Sequence, residues 1–311
     1  MQKVQINNSN DFDDVDLREL FNVLWQGKRF IISVTAFISI LGVIYSLLLP
    51  NIYDSKAILV PVNPPTGMSG SLGNYRNFAG FAGVNLGTAD VNMNSIKAIQ
   101  KISSLSFFEE NILENIYLPD LMAVKSWNSS TNTLIYDKSI FDSNTNTWAT
   151  DDSGQELIPS AQKSFRVFLG NHLSFSEDMK SGFSTLSIKH QSPYIAKEWA
   201  ELVVNEVNSF YRQKDKTESE KAVNYLNQQI SMTSLSEIKQ VLAQLLQEEI
   251  KKLTLIEANE SYVFEYIDPP AVKELKSEPN RAIICILIAI FGGMASTLYV
   301  LIKHYFMTVK E

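Results

Sequence analysis

Cysteine is almost absent from this chain: Cys285 is the single one among 311 residues. An intrachain disulfide is therefore excluded, even in an oxidising compartment, and stability must come from packing and self-association. Histidine is scarce too, and His172, His190 and His304 are too few and too scattered for a zinc site. The formal net charge is −7 with acidic and basic residues interspersed, and the lack of a basic stripe argues against nucleic acid as a partner. No G-x-S-x-G elbow occurs and the lone cysteine sits in an apolar run, so nucleophilic hydrolysis lacks a candidate. The neighbouring carboxylates Glu109-Glu110, Asp151-Asp152 and Glu248-Glu249 diverge in direction along a helix or strand and form no facing acid/base pair. Trp127, Trp148 and Trp199 are of the type that stacks on sugar rings, but Trp199 lies in a core-like stripe and Trp148 in an expected hairpin. Catalytic, cofactor-binding and metal-ligating residues are accordingly assigned as none.

What the sequence does have is two long apolar runs, 30–49 and 282–302, neither carrying a charged residue. About 20 residues of helix cross a ~30 Å hydrocarbon layer. Core helices of that length normally place polar residues every third or fourth position, and these do not. Two spans confine everything between them to one side of a membrane, with both termini on the other. Lys28 and Arg29 before the first run, and Lys303 and His304 after the second, outweigh Arg281 and put the termini in the cytoplasm. The first run has a polar head and no small-x-small cleavage site, so it reads as a retained anchor. In a bacterium the region between the runs is then periplasmic.

The expected organisation is a cytoplasmic segment 1–29, a span 30–49, a periplasmic domain 50–281, a span 282–302 and a tail 303–311. The fold class is α+β. Asp16 is a suitable N-cap for a short amphipathic helix bearing Leu17, Leu20, Phe21 and Leu24, which either lies against the cytoplasmic leaflet or extends the first span. A strand is expected over 53–62, then a glycine-rich loop over 67–87 punctuated by Phe78, Phe81 and Val84. That loop lacks the Lys-Ser or Lys-Thr pair of a phosphate cradle. Helical spacing follows over 94–115. A hairpin is expected over 133–150, pairing 134–136 with 147–149, and a short amphipathic helix over 160–171. A second hairpin is expected from 173–176 and 183–190, where Leu186 and Ile188 alternate with Ser187 and Lys189.

Ser192-Pro193 opens the longest pattern, a helix to about Met232, roughly 60 Å at 1.5 Å per residue. Its first half is broadly apolar, its middle (212–221) almost wholly polar, and beyond that only a narrow seam continues through Val223, Leu226 and Ile230. Ser234-Leu235-Ser236-Glu237 reads as a capping box that restarts a return helix carrying Ile238, Leu242 and Leu245. A helical hairpin over about 193–258 thus projects into solvent, where only its own chain or neighbouring copies can cover the seam. A last strand over 262–267 leads to Pro269, Pro270 and Pro279 before the second run.

Asp16-Leu17-Arg18-Glu19-Leu20 with Trp25, Pro50-x-x-Tyr53 with 57–61, the run 78–87, the run 186–193, the late prolines and Gly292-Gly293-Met294 occur here in fixed order between two spans. In that order they resemble the Wzz-type chain-length determinants, the polysaccharide co-polymerases of Gram-negative inner membranes, along essentially the whole chain. The resemblance implies a regulator without catalytic activity: a periplasmic α/β base, a long outward helix and ring-like homo-oligomers. It implies control of O-antigen chain length through a Wzy-type polymerase, with the growing lipid-linked polysaccharide as a further contact. On the same basis Pro269, Pro270, Pro279, Arg281, Gly292 and Gly293 are carried over as polymerase or oligomer contacts. The segment 271–278 departs from the family's proline-rich pattern, and no Walker motif or tyrosine-rich tail is present, which disfavours the autokinase branch. Small residues in a span let helices approach closely, so Gly292 and Gly293 either meet a partner's helix or are simply tolerated in lipid. Length control of enterobacterial common antigen or an exopolysaccharide is the sibling alternative. A two-span periplasmic sensor and a membrane-bound hydrolase are the others.

Overall fold

The computed structural model describes residues 17–62, 90–178 and 182–308. Asp16 and the glycine-rich stretch with Phe78, Phe81 and Val84 lie outside the described residues. The chain divides into two compact units, one made of residues 1–50 and 279–311, the other of residues 51–278.

The first unit is a pair of helices, α1 (Leu17–Leu48) and α7 (Arg281–Thr308). Within them Phe21–Leu48 and Arg281–His304 each have a mean hydropathy of 2.3 and are long enough to cross a membrane. Only 11% of each window is buried within the chain, which is not how a soluble core helix sits. No proline interrupts residues 17–48, so α1 runs unbroken. The amphipathic turn expected at the leaflet is therefore the N-terminal part of the span's own helix, the second of the two alternatives.

The second unit is built on a four-stranded antiparallel sheet in the order β6-β7-β1-β8. Its strands are β1 (Tyr53–Pro61), β6 (Leu173–Glu177), β7 (Ser184–His190) and β8 (Phe264–Asp268). Ser55, Ala57 and Leu59 alternate inward along β1, and Leu186 and Ile188 do so along β7. On that face lies α5 (Pro193–Met232), which buries Ala196, Trp199, Ala200, Val203, Val204 and Val207 in its first half. Asn208 fixes the helix to β8: its Oδ1 accepts from the backbone N–H groups of Val263 and Phe264 at 2.8 and 2.9 Å, and its Nδ2 donates to the Phe264 carbonyl at 2.9 Å. The core is completed by α2 (Asp90–Ile102), the helical segment 105–115 with Phe107, Phe108 and Ile112, α3 (Leu118–Met122) with Leu121, and α4 (Ala161–Val167), which runs on as a π-helical turn through Phe168. Ser160 caps α4 by accepting from the Lys163 N–H.

Two expectations are corrected here. Residues 133–150 do not form one hairpin. β3 (Thr133–Tyr136) pairs back with β2 (Val124–Asn128), and β4 (Phe141–Asp142) pairs with β5 (Thr147–Trp148). Each turn contains an asparagine in the left-handed region, Asn132 and Asn146, which tolerates that conformation better than most residues. The capping box at residues 234–237 is not formed either. α6 (Ser236–Ala258) begins one residue later than expected, with Leu235 at the N-cap and no side-chain cap bond. Glu237 then stands at the second helical position, where it cannot complete the reciprocal pair.

Past Val207 the exposed side of α5 widens, and only Ser219 and Leu226 are buried in its outer half. At 1.5 Å per residue, roughly 35 Å of helix extends beyond the part packed on the sheet. α6 returns antiparallel along it, and an ion pair joins Lys216 to Glu257 across the two helices. The expected long helical hairpin is present.

Candidate functional site

Three places carry the residues singled out by the sequence. The first is within the helix pair. Side chains that project from an apolar helix must be small where a neighbour's backbone comes close. A Cβ on Gly42 would stand 2.7 Å from Ile288 Cγ2, one on Gly27 would stand 2.7 Å from Val300 Cγ1, and one on Gly292 would stand 3.0 Å from Ile38 Cγ2. Gly292 is therefore occupied by α1 of its own chain, an arrangement neither sequence alternative contained. Gly293 has room, with Thr35 at 3.9 Å the nearest neighbour. Thr35 Oγ1 and Ser296 Oγ lie 3.3 Å apart, linking the helices, and Ser296 also donates to the Gly293 carbonyl at 2.9 Å. Gly27 and Gly42 were missed, although the small size of Gly42 inside the apolar run 30–49 was a readable signal.

The second place is where the chain enters and leaves the sheet unit. Ile52 bridges Glu278 with a backbone bond of 2.9 Å, and the Ser277 N–H and Oγ both donate to the Ile52 carbonyl. Lys189 closes the clasp through an ion pair with Glu278 at 2.5 Å, which holds its ammonium above the usual lysine range. Among the late prolines, Pro269 is exposed, Pro270 buried and Pro279 half-buried; Arg281 is half-buried at the first position of α7. Ser55 Oγ donates to the Ala271 carbonyl at 2.9 Å and ties this segment to β1.

Beside the clasp lies a cleft of about 570 Å3, lined by residues that include Asp120, Asn171, His172, Lys189, Gln191 and Glu278. Two histidines read as scattered meet here, their rings 5.6 Å apart and each set edgewise on Trp199. His190 is fixed as a neutral tautomer: Nδ1 accepts from the Ser192 N–H at 2.9 Å, so Nε2 donates to the Asp120 carbonyl at 3.0 Å. Burial pushes its pKa down to about 4. Burial lowers His172 as well, and its Nδ1 lies 2.7 Å from the Lys189 carbonyl. Asp120 is shifted up by burial while accepting from the Tyr136 hydroxyl at 2.6 Å. No group of three or more metal-ligating side chains occurs among the described residues.

The third place is the hairpin seam. Leu226 is buried, Val223, Ile230, Leu242 and Leu245 are half-buried, and Ile238 is exposed. Tyr225, Met232, Leu235, Val241 and Ile250 also stand exposed on the two helices, which makes the uncovered apolar surface broader than the seam read from the sequence.

Comparison with known proteins finds a family match over one N-terminal segment of the chain. Residues 13–115 match the Wzz family model, described as chain length determinant protein. The resemblance drawn from the sequence thus holds over the segment that contains α1 and β1. A full-length bacterial polysaccharide co-polymerase aligns in structure at 16% identity and a TM-score of 0.39, covering 94% of this chain and 99% of that one. A fragment of WzzB, a polysaccharide co-polymerase from Salmonella Typhimurium, aligns at 13% identity and a TM-score of 0.30, covering 73% of this chain and 100% of that one. No curated protein sequence matches.

Proposed function

We propose that this chain, with its Wzz-type chain length determinant segment at residues 13–115, sets the modal length of O-antigen in lipopolysaccharide biosynthesis. It does so as a homo-oligomeric scaffold that modulates a Wzy-type polymerase, and it performs no catalysis itself. The observation that carries this reading is the family match on α1 and β1, in a chain whose second apolar helix follows a single α+β body. Lys28 and Arg29 at one end and Lys303 and His304 at the other support cytoplasmic termini by the positive-inside rule. The body is then periplasmic and the membrane is the bacterial inner membrane. Exposed Tyr225, Met232, Ile238 and Val241 on the hairpin give copies of the chain an apolar surface to share, as a closed ring requires.

The test is a deletion strain whose lipopolysaccharide is run on a silver-stained gel. Loss of the modal band with polymer still made supports the reading. Unchanged banding rejects it in favour of enterobacterial common antigen, an exopolysaccharide or a sensor role. Shortening the hairpin around residues 232–236 is expected to shift or abolish the mode, and a normal distribution from that variant counts against the scaffold.

A further inference from the structure

We infer that the bend at Glu274-Leu275 docks on anionic phospholipid, with the Leu275 side chain below the headgroups and Lys273 and Lys276 on their phosphates; this rests on the proposed membrane placement and deepens it. Leu275 is 85% exposed, more than any other large apolar side chain among the described residues. A lone exposed leucine is ordinary on a soluble surface. Its position here is not. Tight changes of chain direction are normally made by glycine, asparagine, aspartate or serine, whereas this bend sets a leucine at its turning point.

The chain itself keeps the bend close to the membrane. Leu275 precedes Arg281, the first residue of α7, by six positions, and six residues at ~3.5 Å reach no further than about 20 Å. Two residues after the bend, Ser277 donates to the Ile52 carbonyl, and Ile52 follows Leu48, the last residue of α1, by four positions. The bend is thus fastened to residues close to both membrane-crossing helices. Charge then selects the lipid. Lys273 is exposed, and Lys276 Nζ lies 3.2 Å from Asn51 Oδ1, a neutral partner. Glu278 is already paired with Lys189, which leaves Glu274 against two lysines in this segment. The excess is positive, and long lysine stems reach phosphates while the leucine descends between them. A second observation at the same end of the body agrees. Tyr53, next to Ile52, is edge-on to Trp127 at 5.4 Å, and Trp127 lies 6.2 Å from exposed Tyr194. Tryptophan and tyrosine are the residues that gather at membrane–water interfaces.

The test uses the full chain in nanodiscs of phosphatidylcholine with phosphatidylglycerol, in a Cys285→Ala background with one cysteine that bears a nitrobenzoxadiazole dye. Leu275→Cys is the reporter; Leu47→Cys, exposed on α1, is the lipid standard, and Leu235→Cys, exposed at the hairpin turn, is the solvent standard. Quenching is read with phospholipid spin-labelled near the glycerol backbone. Leu275→Cys is expected to be quenched about threefold more than Leu235→Cys. Adding Lys273→Glu, or leaving out phosphatidylglycerol, is expected to reduce that quenching about twofold. Quenching at position 47 with none at 275 above the level at 235 overturns the inference and leaves the membrane placement standing. A blue-shifted but unquenched dye at 275 also overturns it, since protein then covers the leucine. Equal quenching with and without anionic lipid overturns the selection by charge. No quenching at any of the three positions overturns the membrane placement along with the inference.

Discussion

The helix pair α1/α7 and the hairpin α5/α6 are both antiparallel two-helix structures, but they close by different means. In the first, Gly27, Gly42 and Gly292 bring backbone against Val300, Ile288 and Ile38, and the Thr35–Ser296 contact adds a polar link. Lipid tails are as apolar as the side chains, so close backbone packing and interhelical hydrogen bonds carry such an association. In the second, Leu226 and Ile256 are buried, Lys216 pairs with Glu257, and the Tyr262 hydroxyl donates to Asp215 at 2.5 Å. Water drives apolar burial there, and the burial is thin. The first pair closes on its own glycines; the second leaves exposed apolar side chains on both of its helices.

The difference between the anchored and the free half of α5 is the sharpest place to test this. Trp199→Ala removes a side chain that is 3% exposed and touches both histidines, and it is expected to cost about 3–5 kcal/mol, measured by thermal unfolding of the full chain in detergent. A loss under about 1 kcal/mol would mean the sheet end of α5 is packed no better than its tip.

Acid attacks the same region. His190 has a pKa of about 4 in the fold against 6.5 when unfolded, so the unfolded chain binds its proton first. The contribution is intact above pH ~6.5 and is lost as pH falls toward 4, by about 3 kcal/mol. His190→Gln retains a donor and an acceptor but cannot titrate. The wild type should lose stability relative to this variant between pH 7 and pH 4, and parallel curves would refute the buried neutral imidazole.

Gly42→Leu drives a side chain into Ile288 and is expected to cost about 1–3 kcal/mol of α1/α7 packing. The readout is disulfide formation between Thr35→Cys and Ser296→Cys in a Cys285→Ala background: efficient with Gly42, several-fold lower with leucine. Equal yields would show that the two helices do not depend on close approach. The smallest effect belongs to Tyr225→Ala, 61% exposed, which should shift unfolding by less than about 0.5 kcal/mol if the hairpin stands alone. A substantially larger loss that scales with protein concentration would place another copy over that surface.

Much of this architecture was legible in the sequence because it is written in long periodic patterns. The helix from Pro193 to Met232, its thinning apolar face, the paired strands β6 and β7 and the two apolar helices all follow from spacing over many residues. The short elements did not follow. Residues 133–136 pair with 124–128, not with 147–149, because a four-residue strand contains too little pattern to name its partner. Ser234 and Glu237 have the right spacing for a cap, yet the helix starts at Ser236. The candidate site was less readable than the fold. His172 and His190 come together only because β6 and β7 are adjacent and α5 slides Trp199 beneath them. Gly292 looked outward in a linear reading, since only the position of Ile38 shows which side of the helix is taken.

The bridge between Ile52 and Glu278 has a practical corollary. A body whose entry and exit strands are stitched side by side is a self-contained cassette. It should be removable by joining the flanking helices through a few residues of linker, or exchangeable for a relative's body at the same two seams, without rebuilding either helix.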